Sequence, residues 1–430
     1  MPREIVAKLV ERGFQAFFVG GCVRDLVLGH EPADWDICTD ATPEQLLQLF
    51  PRAQLVGAKF GVVLVSGVEV ATFRSDFAYR DGRHPEGVRY ETDPKQDVLR
   101  RDFTINALLM DPATQRVIDY TGGLDDLRAG VIRAIGDPVL RFQEDHLRML
   151  RAIRFAARFG FTIEPATFAA IRRLHAGILR ISPERVRDEL IRILTEGGAR
   201  RGFELLDETG LLADILPEVA AFHGVEQPPQ YHPEGDVWVH TLMMLERMQS
   251  PSPELAMGVL LHDVGKPGTF RVADRIRFDG HVELGEEIAR RILNRLHFSN
   301  QQIDQILALV GNHMRFMDAQ RMRESTLKRF LRLPRFDEHL ELHRLDSTCS
   351  SGNLENYHFA KSRFEQAPAE ELRPVRLIKG DDLIAAGYKP GPEFSKVLDA
   401  VEDAQLEGRI HTREDAMELV KELLGERHVE

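Results

Sequence analysis

The chain has 430 residues, of which 43% are hydrophobic and 29% are charged, and its formal net charge is −12. This length exceeds one compact core and predicts roughly two to four domains, and the composition argues against a disordered or collagen-like protein. Because there is neither an 18-residue apolar run nor a signal-peptide layout at the N-terminus, we expect a cytoplasmic protein with no membrane partner. The three cysteines lack Cys-x-x-Cys spacing, so a disulfide framework or a thiolate zinc site is not expected.

The N-terminal third of the chain predicts a mixed α/β domain. Between residues 14 and 135, short β-rich runs at 17–19, 62–65, 68–73 and 117–118 alternate with helical patterns. From about residue 137 onward the hydrophobic pattern is almost wholly helical, with breaks at glycines and prolines. The expected fold class is therefore α+β: a mixed α/β head over residues 1–137, then an all-α body with divisions near residues 222 and 365.

A glycine pair follows the first predicted strand. Gly20-Gly21 precedes a helical pattern that contains Arg24, so backbone amides at the turn could face an anion, to which Arg24 would add a charge-assisted contact. An ordinary tight turn is the alternative interpretation. The phosphate-loop pattern ending in Gly-Lys-Ser/Thr is absent from the sequence.

Two aspartates, Asp34 and Asp36, come thirteen residues after the glycine pair. If this segment is a strand, residues two apart share a face, and both carboxylates point into one space. Hard oxygen ligands of this kind suit magnesium shared with substrate phosphates. Glu69 lies on a later predicted strand and could be a third acid. A solvent-facing loop is the alternative interpretation of the Asp-x-Asp pattern.

Three longer motifs follow in order along the chain. They are Arg100-Arg101-Asp102-Phe103-Thr104-Ile105-Asn106-Ala107, Asp119-Tyr120-Thr121-Gly122-Gly123-Leu124-Asp125-Asp126-Leu127, and Glu144-Asp145-His146-Leu147-Arg148-Met149-Leu150-Arg151. Together with the glycine pair and the two aspartates, this ordered combination over about residues 14–220 resembles the class II tRNA nucleotidyltransferase and bacterial poly(A) polymerase family.

The resemblance implies template-independent extension of an RNA 3′ end, with tRNA, CTP and ATP as partners and pyrophosphate as the leaving group. It also implies a role for each matching residue. The implied catalytic acids are Asp34, Asp36 and Glu69, the first two holding Mg²⁺, and the implied nucleotide-binding residues are Gly21, Arg24, Arg101, Asp145, Arg148, Arg151 and Arg154.

The helical segment after residue 138 carries the base-recognition hypothesis. Asp145 and Arg148 lie three residues apart, so we expect them to share a helix face. A carboxylate accepts from the amine of cytosine or adenine, and a guanidinium donates to the neighbouring ring nitrogen.

Residues 148–201 contain twelve arginines, no lysine and five acidic residues, which predicts a basic face in an otherwise acidic protein. Ordinary solvated helix surfaces are the alternative. We assign residues 138–222 to this helical neck.

The polar segment 75–91 is punctuated by glycine and proline and predicts a mobile loop beside the active site. In the family, a loop here is linked to the switch from C to A addition. Its presence therefore favours an enzyme that can add A.

A second metal site is indicated farther along. His240, the run Leu261-His262-Asp263-Val264-Gly265-Lys266 and the later Asp346 have the order and spacing of an HD-type metal-dependent phosphohydrolase domain, which we place at residues 223–365, before a helical tail at 366–430. Two imidazoles and two carboxylates suit a transition metal or a mixed pair of ions. His281 and His313 could serve a second ion.

By similarity, such a domain hydrolyses phosphomonoesters or cyclic phosphates at damaged RNA 3′ ends. A degenerate domain kept for RNA binding is the alternative.

Three functions remain open from the sequence. The first is CCA addition to tRNA, and the second is an A-adding, CC-adding or poly(A)-synthesising enzyme, which shares every motif. The chain has no long basic C-terminal tail, and this argues against polyadenylation. The third is a hydrolase whose only active site is the HD domain, for which Asp34 and Asp36 would be dispensable. The sequence does not indicate an oligomeric state.

Overall fold

The computed structural model describes residues 1–56, 61–79, 85–230, 232–233 and 235–425. The chain forms two compact units. The first contains Met1–Ala221 with the segments Gln249–Ala256 and Arg291–Phe298, and the second contains Phe222–Met248, Met257–Arg290 and Ser299–Glu430. A sheet-containing head followed by helices confirms the α+β fold class.

A seven-stranded mixed sheet forms the head, in the order β3-β4-β5-β2-β1-β8-β9. Strands β2 and β5 are parallel, whereas the other neighbours are antiparallel. Valine, isoleucine and phenylalanine line the buried side, as β-branched and aromatic residues favour strands. The head strands are β1 (Ala16–Val19), β2 (Asp36–Thr39), β3 (Gln54–Leu55), β4 (Val62–Val65), β5 (Val68–Thr72), β6 (Arg74–Tyr79), β7 (Pro85–Tyr90), β8 (Leu109–Met110) and β9 (Val117–Ile118).

The segment 75–91, predicted to be a loop, is largely a hairpin. Strands β6 and β7 pair in antiparallel register, with Arg74 opposite Tyr90 and Tyr79 opposite Pro85. The polar composition that suggested a loop is compatible with a two-stranded ribbon outside the main sheet. Residues 80–84 of the expected loop lie outside the described residues.

Three helices of the first unit begin with a capping side chain and a proline in the first turn. Thr42, Asp93 and Asp137 each accept a hydrogen bond from a backbone amide of the helix that follows. The helices are α1 (Pro2–Glu11), α2 (Gly21–Val27), α3 (Pro43–Leu49), α4 (Pro94–Leu99), α5 (Gly123–Ala129), α6 (Pro138–Glu144), α7 (Leu147–Phe159), α8 (Pro165–Leu174), α9 (Pro183–Thr195), α10 (Ala199–Thr209), α11 (Leu211–Ile215) and α12 (Pro217–Ala220), with 3₁₀ turns at Thr104–Asn106 and His175–Arg180. A short parallel pair, β10 (Val131–Ile132) and β11 (Thr162–Ile163), completes this part.

After residue 222 the chain is almost entirely helical. Its C-terminal helices have their own core, which includes Leu383, Val401 and Val420. The elements are α13 (Val237–Arg247), α14 (Pro253–Leu261), α15 (Lys266–Thr269), β12 (Arg271–Val272), β13 (Ile276–Arg277), α16 (His281–Arg295), α17 (Asn300–Asn312), a 3₁₀ segment (His313–Arg321), α18 (Glu324–Leu331), α19 (Phe336–Cys349), α20 (Glu355–Gln366), α21 (Ala369–Leu372), α22 (Gly380–Ala385), α23 (Pro392–Leu406) and α24 (Arg413–Leu424). In the described ranges, none of the helices is long and apolar enough to cross a membrane.

Candidate functional site

The predicted glycine turn lies where β1 ends and α2 begins. Gly20 has φ +77°, a backbone conformation that residues with a side chain rarely adopt. A Cβ atom on Gly20 would lie 3.1 Å from Nη1 of Arg101 and 3.9 Å from Oδ2 of Asp36. The glycine therefore lets Arg101 and Asp36 approach the turn closely.

Three acids meet beside this turn. Asp36 begins β2 and lies opposite Glu69 of the parallel strand β5. Asp34 precedes the strand and is exposed, so the expectation that one strand carries both aspartates is wrong. The three carboxylates nevertheless act on one another electrostatically: burial raises the pKa of Asp36, Arg101 opposes this rise, and Glu69 and Asp34 add to it. Clustered oxygen ligands that repel one another fit a divalent cation.

Arg101 is a fixed positive charge next to this acidic group. Its Nη2 donates to Oδ2 of Asp97 at 3.2 Å, and Asp97 also accepts from Nη2 of Arg100 at 2.6 Å. Burial alone would lower the pKa of Arg101, but Asp97 and Asp36 raise it above its ordinary value. A permanent cation at this position is suited to an anionic ligand.

Arg24 is held by neighbouring side chains. It is only 5% exposed, and its guanidinium donates to Asp25 at 2.7 Å and to Oδ1 of Asn106 at 2.6 Å. It also lies over the ring of Phe159, 4.7 Å from the centroid. If Arg24 binds phosphate as predicted, it does so with a guanidinium that Asp25 and Asn106 already orient.

A chain of hydrogen bonds extends from Arg24 through the motif at residues 100–107. Asn106 donates to Oδ1 of Asp102 at 3.2 Å, and Nε of Arg151 donates to Oδ2 of Asp102 at 2.7 Å. Although burial raises the pKa of Asp102, Arg151 and Arg148 lower it to about 2. Asp102 and Asn106 belong to the motif at residues 100–107, and that position was the signal for a role that the resemblance did not assign to them.

The arginines of α7 do not form the open basic face that their number predicted. Arg154 is 4% exposed, with its guanidinium 2.8 Å from Glu189 and 3.1 Å from Glu196. Arg158 also contacts Glu196 at 3.1 Å, and Arg151 faces Asp102. Acids from elsewhere in the chain therefore pair with the arginines on this side of α7, fully buried at Arg154 and partly exposed at Arg158. Arg154 is thus held away from solvent.

The base-recognition pair lies at a helix break rather than on one helix face. Asp145 has extended backbone angles between α6 and α7, and its Oδ1 accepts from the amide of Leu147 at 3.0 Å. Oδ2 accepts from Nη2 of Arg185 at 2.8 Å. Arg148, on α7, donates to Oε2 of Glu144 at 2.5 Å. Asp145 and Arg148 therefore bind different partners, Arg185 and Glu144 respectively. The sequence did not indicate Arg185 because it lies 40 residues after Asp145.

The motif beginning at Asp119 has a structural role. The carboxylate of Asp119 accepts from the backbone amides of Gly122, Gly123 and Leu124 at 2.9–3.1 Å and so caps α5. A Cβ atom on Gly123 would lie 2.2 Å from the carbonyl oxygen of Thr104. The glycine allows α5 to pack directly on the motif at residues 100–107.

The predicted histidines and aspartates of the second unit converge in two adjacent groups. One contains His240, His262 and Asp346, and the other contains Asp263, His281 and His313, with the ligand atoms of each group within 4.8 Å of one another. Asp263 joins the groups, since its Oδ2 lies 3.1 Å from Nε2 of His262. The four predicted ligands therefore belong to two neighbouring candidate metal sites, and His281 and His313 belong to the second site together with Asp263. We call these six residues the histidine–aspartate cluster.

Backbone carbonyls orient three of the rings. Nδ1 of His262, His281 and His313 lies 2.8, 2.9 and 2.6 Å from the carbonyl oxygen three residues earlier in each case. A carbonyl only accepts, so each Nδ1 carries the proton and each Nε2 lone pair is directed to the cluster. This is the arrangement that orients histidines as metal ligands. The donor set, imidazole nitrogens with carboxylates, fits transition-metal ions.

Charge in the cluster favours bound cations. Burial raises the pKa of Asp263, but the neighbouring Lys266 ammonium opposes this, and the pKa lies well below its ordinary value. Burial lowers the pKa of His313 to about 4. Lys266 is buried and lies 2.6 Å from both Oδ2 of Asp263 and Oε1 of Gln227. At neutral pH the cluster therefore offers ionised carboxylates and, at His313, a neutral imidazole.

Three family matches cover most of the chain. Residues 16–133 match the poly A polymerase head domain, residues 160–222 match the RNA and SrmB-binding site of polymerase A, and residues 280–420 match tRNA nucleotidyltransferase domain 2. The last match includes His281, His313 and Asp346.

Curated relatives and solved structures agree with these matches. A CCA-adding enzyme of Bacillus pumilus is 31% identical over 96% of this chain and 94% of its own length, and a CC-adding tRNA nucleotidyltransferase of Thermus thermophilus is 34% identical over 93% and 92%. Several other CCA-adding enzymes match about half of this chain and 53–63% of their own length. The crystal structure of the Bacillus stearothermophilus CCA-adding enzyme in complex with CTP superposes with a TM-score of 0.74 at 28% identity, covering 98% of this chain and 96% of that one.

Proposed function

The chain belongs to the class II family of CCA-adding enzymes and poly(A) polymerases, and from this premise we propose that it adds C, C and A to the 3′ end of tRNA from CTP and ATP. The observation that carries the proposal is the acidic group of Asp34, Asp36 and Glu69 beside the Gly20 turn. Similarity over nearly the whole chain to CCA-adding enzymes supports the tRNA substrate.

Asp34 and Asp36 would hold the magnesium ion, with Glu69 next to them as a third acid. When bound, the ion neutralises the triphosphate and favours attack of the RNA 3′ hydroxyl on the α-phosphorus, with pyrophosphate leaving. Arg101, which is charged and anchored by Asp97, would bind the anionic part of the nucleotide. Gly21 would bring the backbone close to the triphosphate, and Arg24 adds a second oriented cation.

Base selection would fall to Asp145 and Arg148. The carboxylate of Asp145 accepts from an exocyclic amine, so cytosine and adenine fit, whereas uracil and guanine present an oxygen there and are repelled. Arg148 would donate to the adjacent ring nitrogen. Arg151 supports this region through Asp102, and Arg154 through Glu189, so both contribute by positioning α7.

Incubation with three tRNA transcripts tests the proposal. The transcripts end before CCA, after C and after CC, and products are sequenced after incubation with CTP, ATP or both. A CCA-adding enzyme completes all three. Extension of only the last transcript would identify an A-adding enzyme, arrest after CC would identify a CC-adding enzyme, and runaway A addition to any RNA would identify a poly(A) polymerase.

The histidine–aspartate cluster supports a second candidate function, phosphohydrolysis at an HD-type domain over residues 223–365. The oriented Nε2 atoms and the shared carboxylate of Asp263 are the observation that favours it. Metal ions held there would supply Lewis-acid activation of water. For a 3′-phosphorylated RNA, water attacks phosphorus, the bond to the 3′ oxygen breaks, and the RNA leaves with a 3′ hydroxyl as phosphate is released. The repaired end would then suit the first site.

An Asp263→Ala variant separates the two activities. We expect phosphatase and cyclic phosphodiesterase activity, assayed with added Mg²⁺, Mn²⁺, Co²⁺ or Ni²⁺, to be lost, with nucleotide addition retained. Undiminished hydrolysis in the variant would refute the second function. Absence of hydrolysis in the wild-type protein with every metal would favour a domain that only binds RNA.

A further inference from the structure

The histidine–aspartate cluster is partly exposed at His281 and Asp346, and we call this part its open side. The side chains of His240, His262 and His313 are 0–1% exposed, whereas those of His281 and Asp346 are 12% and 21% exposed. A phosphate ester can therefore reach the cluster where His281 and Asp346 meet solvent. Any group that guides a substrate should lie next to these two residues.

A short hairpin is connected directly to this open side. It is formed by β12 and β13, follows α15, and ends just before His281. The carbonyl oxygen of Phe278 accepts from Nδ1 of His281 at 2.9 Å, and Nζ of Lys266 lies 5.3 Å from the centroid of the Phe278 ring. The C-terminal end of the hairpin is thus tied to His281 and to Lys266, which contacts Asp263.

The hairpin presents positive charge and an aromatic pair. Arg271 and Arg275 are exposed, and within the described part of the chain neither forms an ion pair, whereas Arg277 is neutralised by Asp274 at 3.0 Å. At the base, the rings of Phe270 and Phe278 lie 5.9 Å apart, and Phe270 is 36% exposed. Unpaired arginines beside an accessible aromatic ring suit a single strand, because the arginines bind phosphates and the ring stacks on a base.

We propose that this hairpin, residues 270–278, is the binding element that holds the 3′-terminal strand of an RNA at the open side of the histidine–aspartate cluster. Arg271 and Arg275 contact backbone phosphates upstream of the terminal phosphate, and Phe270 stacks on a base. The inference rests on the hydrolytic function proposed above and names its substrate as an oligonucleotide rather than a free nucleotide. A small phosphate ester would enter without touching the hairpin.

An Arg271→Gln/Arg275→Gln variant of the full chain tests the proposal, because both side chains are exposed and their loss should not disturb folding. The substrates are a 3′-phosphorylated hexanucleotide and p-nitrophenyl phosphate, assayed with the metal that best supports hydrolysis. We expect KM for the hexanucleotide to rise several-fold and its logarithmic salt dependence to lose about 1.4, or roughly 0.7 for each phosphate contact. Hydrolysis of p-nitrophenyl phosphate should not change. Asp274→Asn, which frees Arg277, should lower KM for the hexanucleotide. The control Val375→Ser, at an exposed position outside the hairpin, should leave it unchanged.

A readout without catalysis keeps this inference separate from the hydrolytic function. A hexanucleotide carrying 4-thiouridine next to its 3′-terminal phosphate is cross-linked to the wild-type protein, and the adduct is mapped by mass spectrometry. An adduct within residues 270–278 supports the proposal even if no hydrolysis is detected, in which case only the hydrolytic function fails. Adducts elsewhere, or an unchanged KM and salt dependence in the double variant of an active hydrolase, overturn the proposal and leave the hydrolytic function standing.

Discussion

Arg185 is predicted to determine how well the first site discriminates between bases. Its Nη2 donates to Oδ2 of Asp145 at 2.8 Å, and the two side chains are 26% and 16% exposed. A partly buried, charge-assisted bond of this kind contributes about 1.5–3 kcal/mol. In Arg185→Gln, the Leu147 amide is the remaining donor to the Asp145 carboxylate among the described residues, so the carboxylate can turn away from the base.

The expected consequence is a loss of discrimination between CTP and UTP. A good contact to a base edge contributes about 1–3 kcal/mol of discrimination. If the misoriented Asp145 carboxylate loses about 1.4 kcal/mol of this contribution, the kcat/KM ratio of CTP over UTP should fall by about tenfold. The assay is single-nucleotide incorporation into a tRNA transcript that ends before CCA. Arg185→Lys should restore part of the ratio because it keeps the charge.

A matched control is available two residues along the same helix. The guanidinium of Arg187 contacts Asp188 and the carbonyl oxygen of His297 rather than Asp145. Arg187→Gln should therefore leave the CTP/UTP ratio unchanged. If Arg185→Gln also keeps the wild-type ratio within about twofold while the protein stays folded, Asp145 is positioned by other contacts and the reasoning is refuted.

Three further outcomes are expected. Asp36→Asn should lower nucleotide incorporation by about 10³-fold or more without changing the far-UV circular dichroism, and activity close to wild type would contradict metal binding there. Gly265→Ala places a Cβ atom 2.1 Å from the carbonyl oxygen of His281, so the free energy of unfolding in urea should fall by about 1–3 kcal/mol; an unchanged midpoint would show that the turn adjusts freely. His339 is 1% exposed, and burial lowers its pKa from 6.5 to about 4. Because only the unfolded chain binds this proton between those values, stability should be lost by about 2–3 kcal/mol as pH falls from 6.5 to 4, and His339→Phe should flatten that part of the stability curve.

Local sequence signals predicted the parts of the sites that depend on local geometry. A strand followed by two glycines requires a turn, and Gly20 has the positive φ that the pattern indicates. The Asp-x-Asp pattern and the Glu69 strand identified the three acids, but β2 carries only Asp36, and its parallel pairing with Glu69 was not predicted. His240, His262 and Asp346 converge in one group, whereas Asp263 belongs to the adjacent group with His281 and His313.

Long-range pairing could not be predicted in this way. Glu189 and Glu196 neutralise Arg154 from positions 35 and 42 residues later, and helical periodicity contains no information about partners at that distance. The break at Asp145 was also hidden, because the hydrophobic pattern continues through it while the aspartate side chain replaces a helical bond by accepting from Leu147. The domain boundaries and the individual site roles stay predictions.

The hydrogen-bonded chain from Arg24 to Arg151 determines where the protein can be cut. A fragment ending at residue 137 would contain the entire sheet and the acidic group, yet Asp102 would lose Arg151 and remain as an ionised carboxylate without its main counter-charge. Unpaired buried charge is strongly destabilising. An autonomous catalytic fragment therefore has to extend through α9, where Glu189 completes the pairing of Arg154, and a minimal version of this enzyme should be designed from that boundary rather than from the end of the sheet.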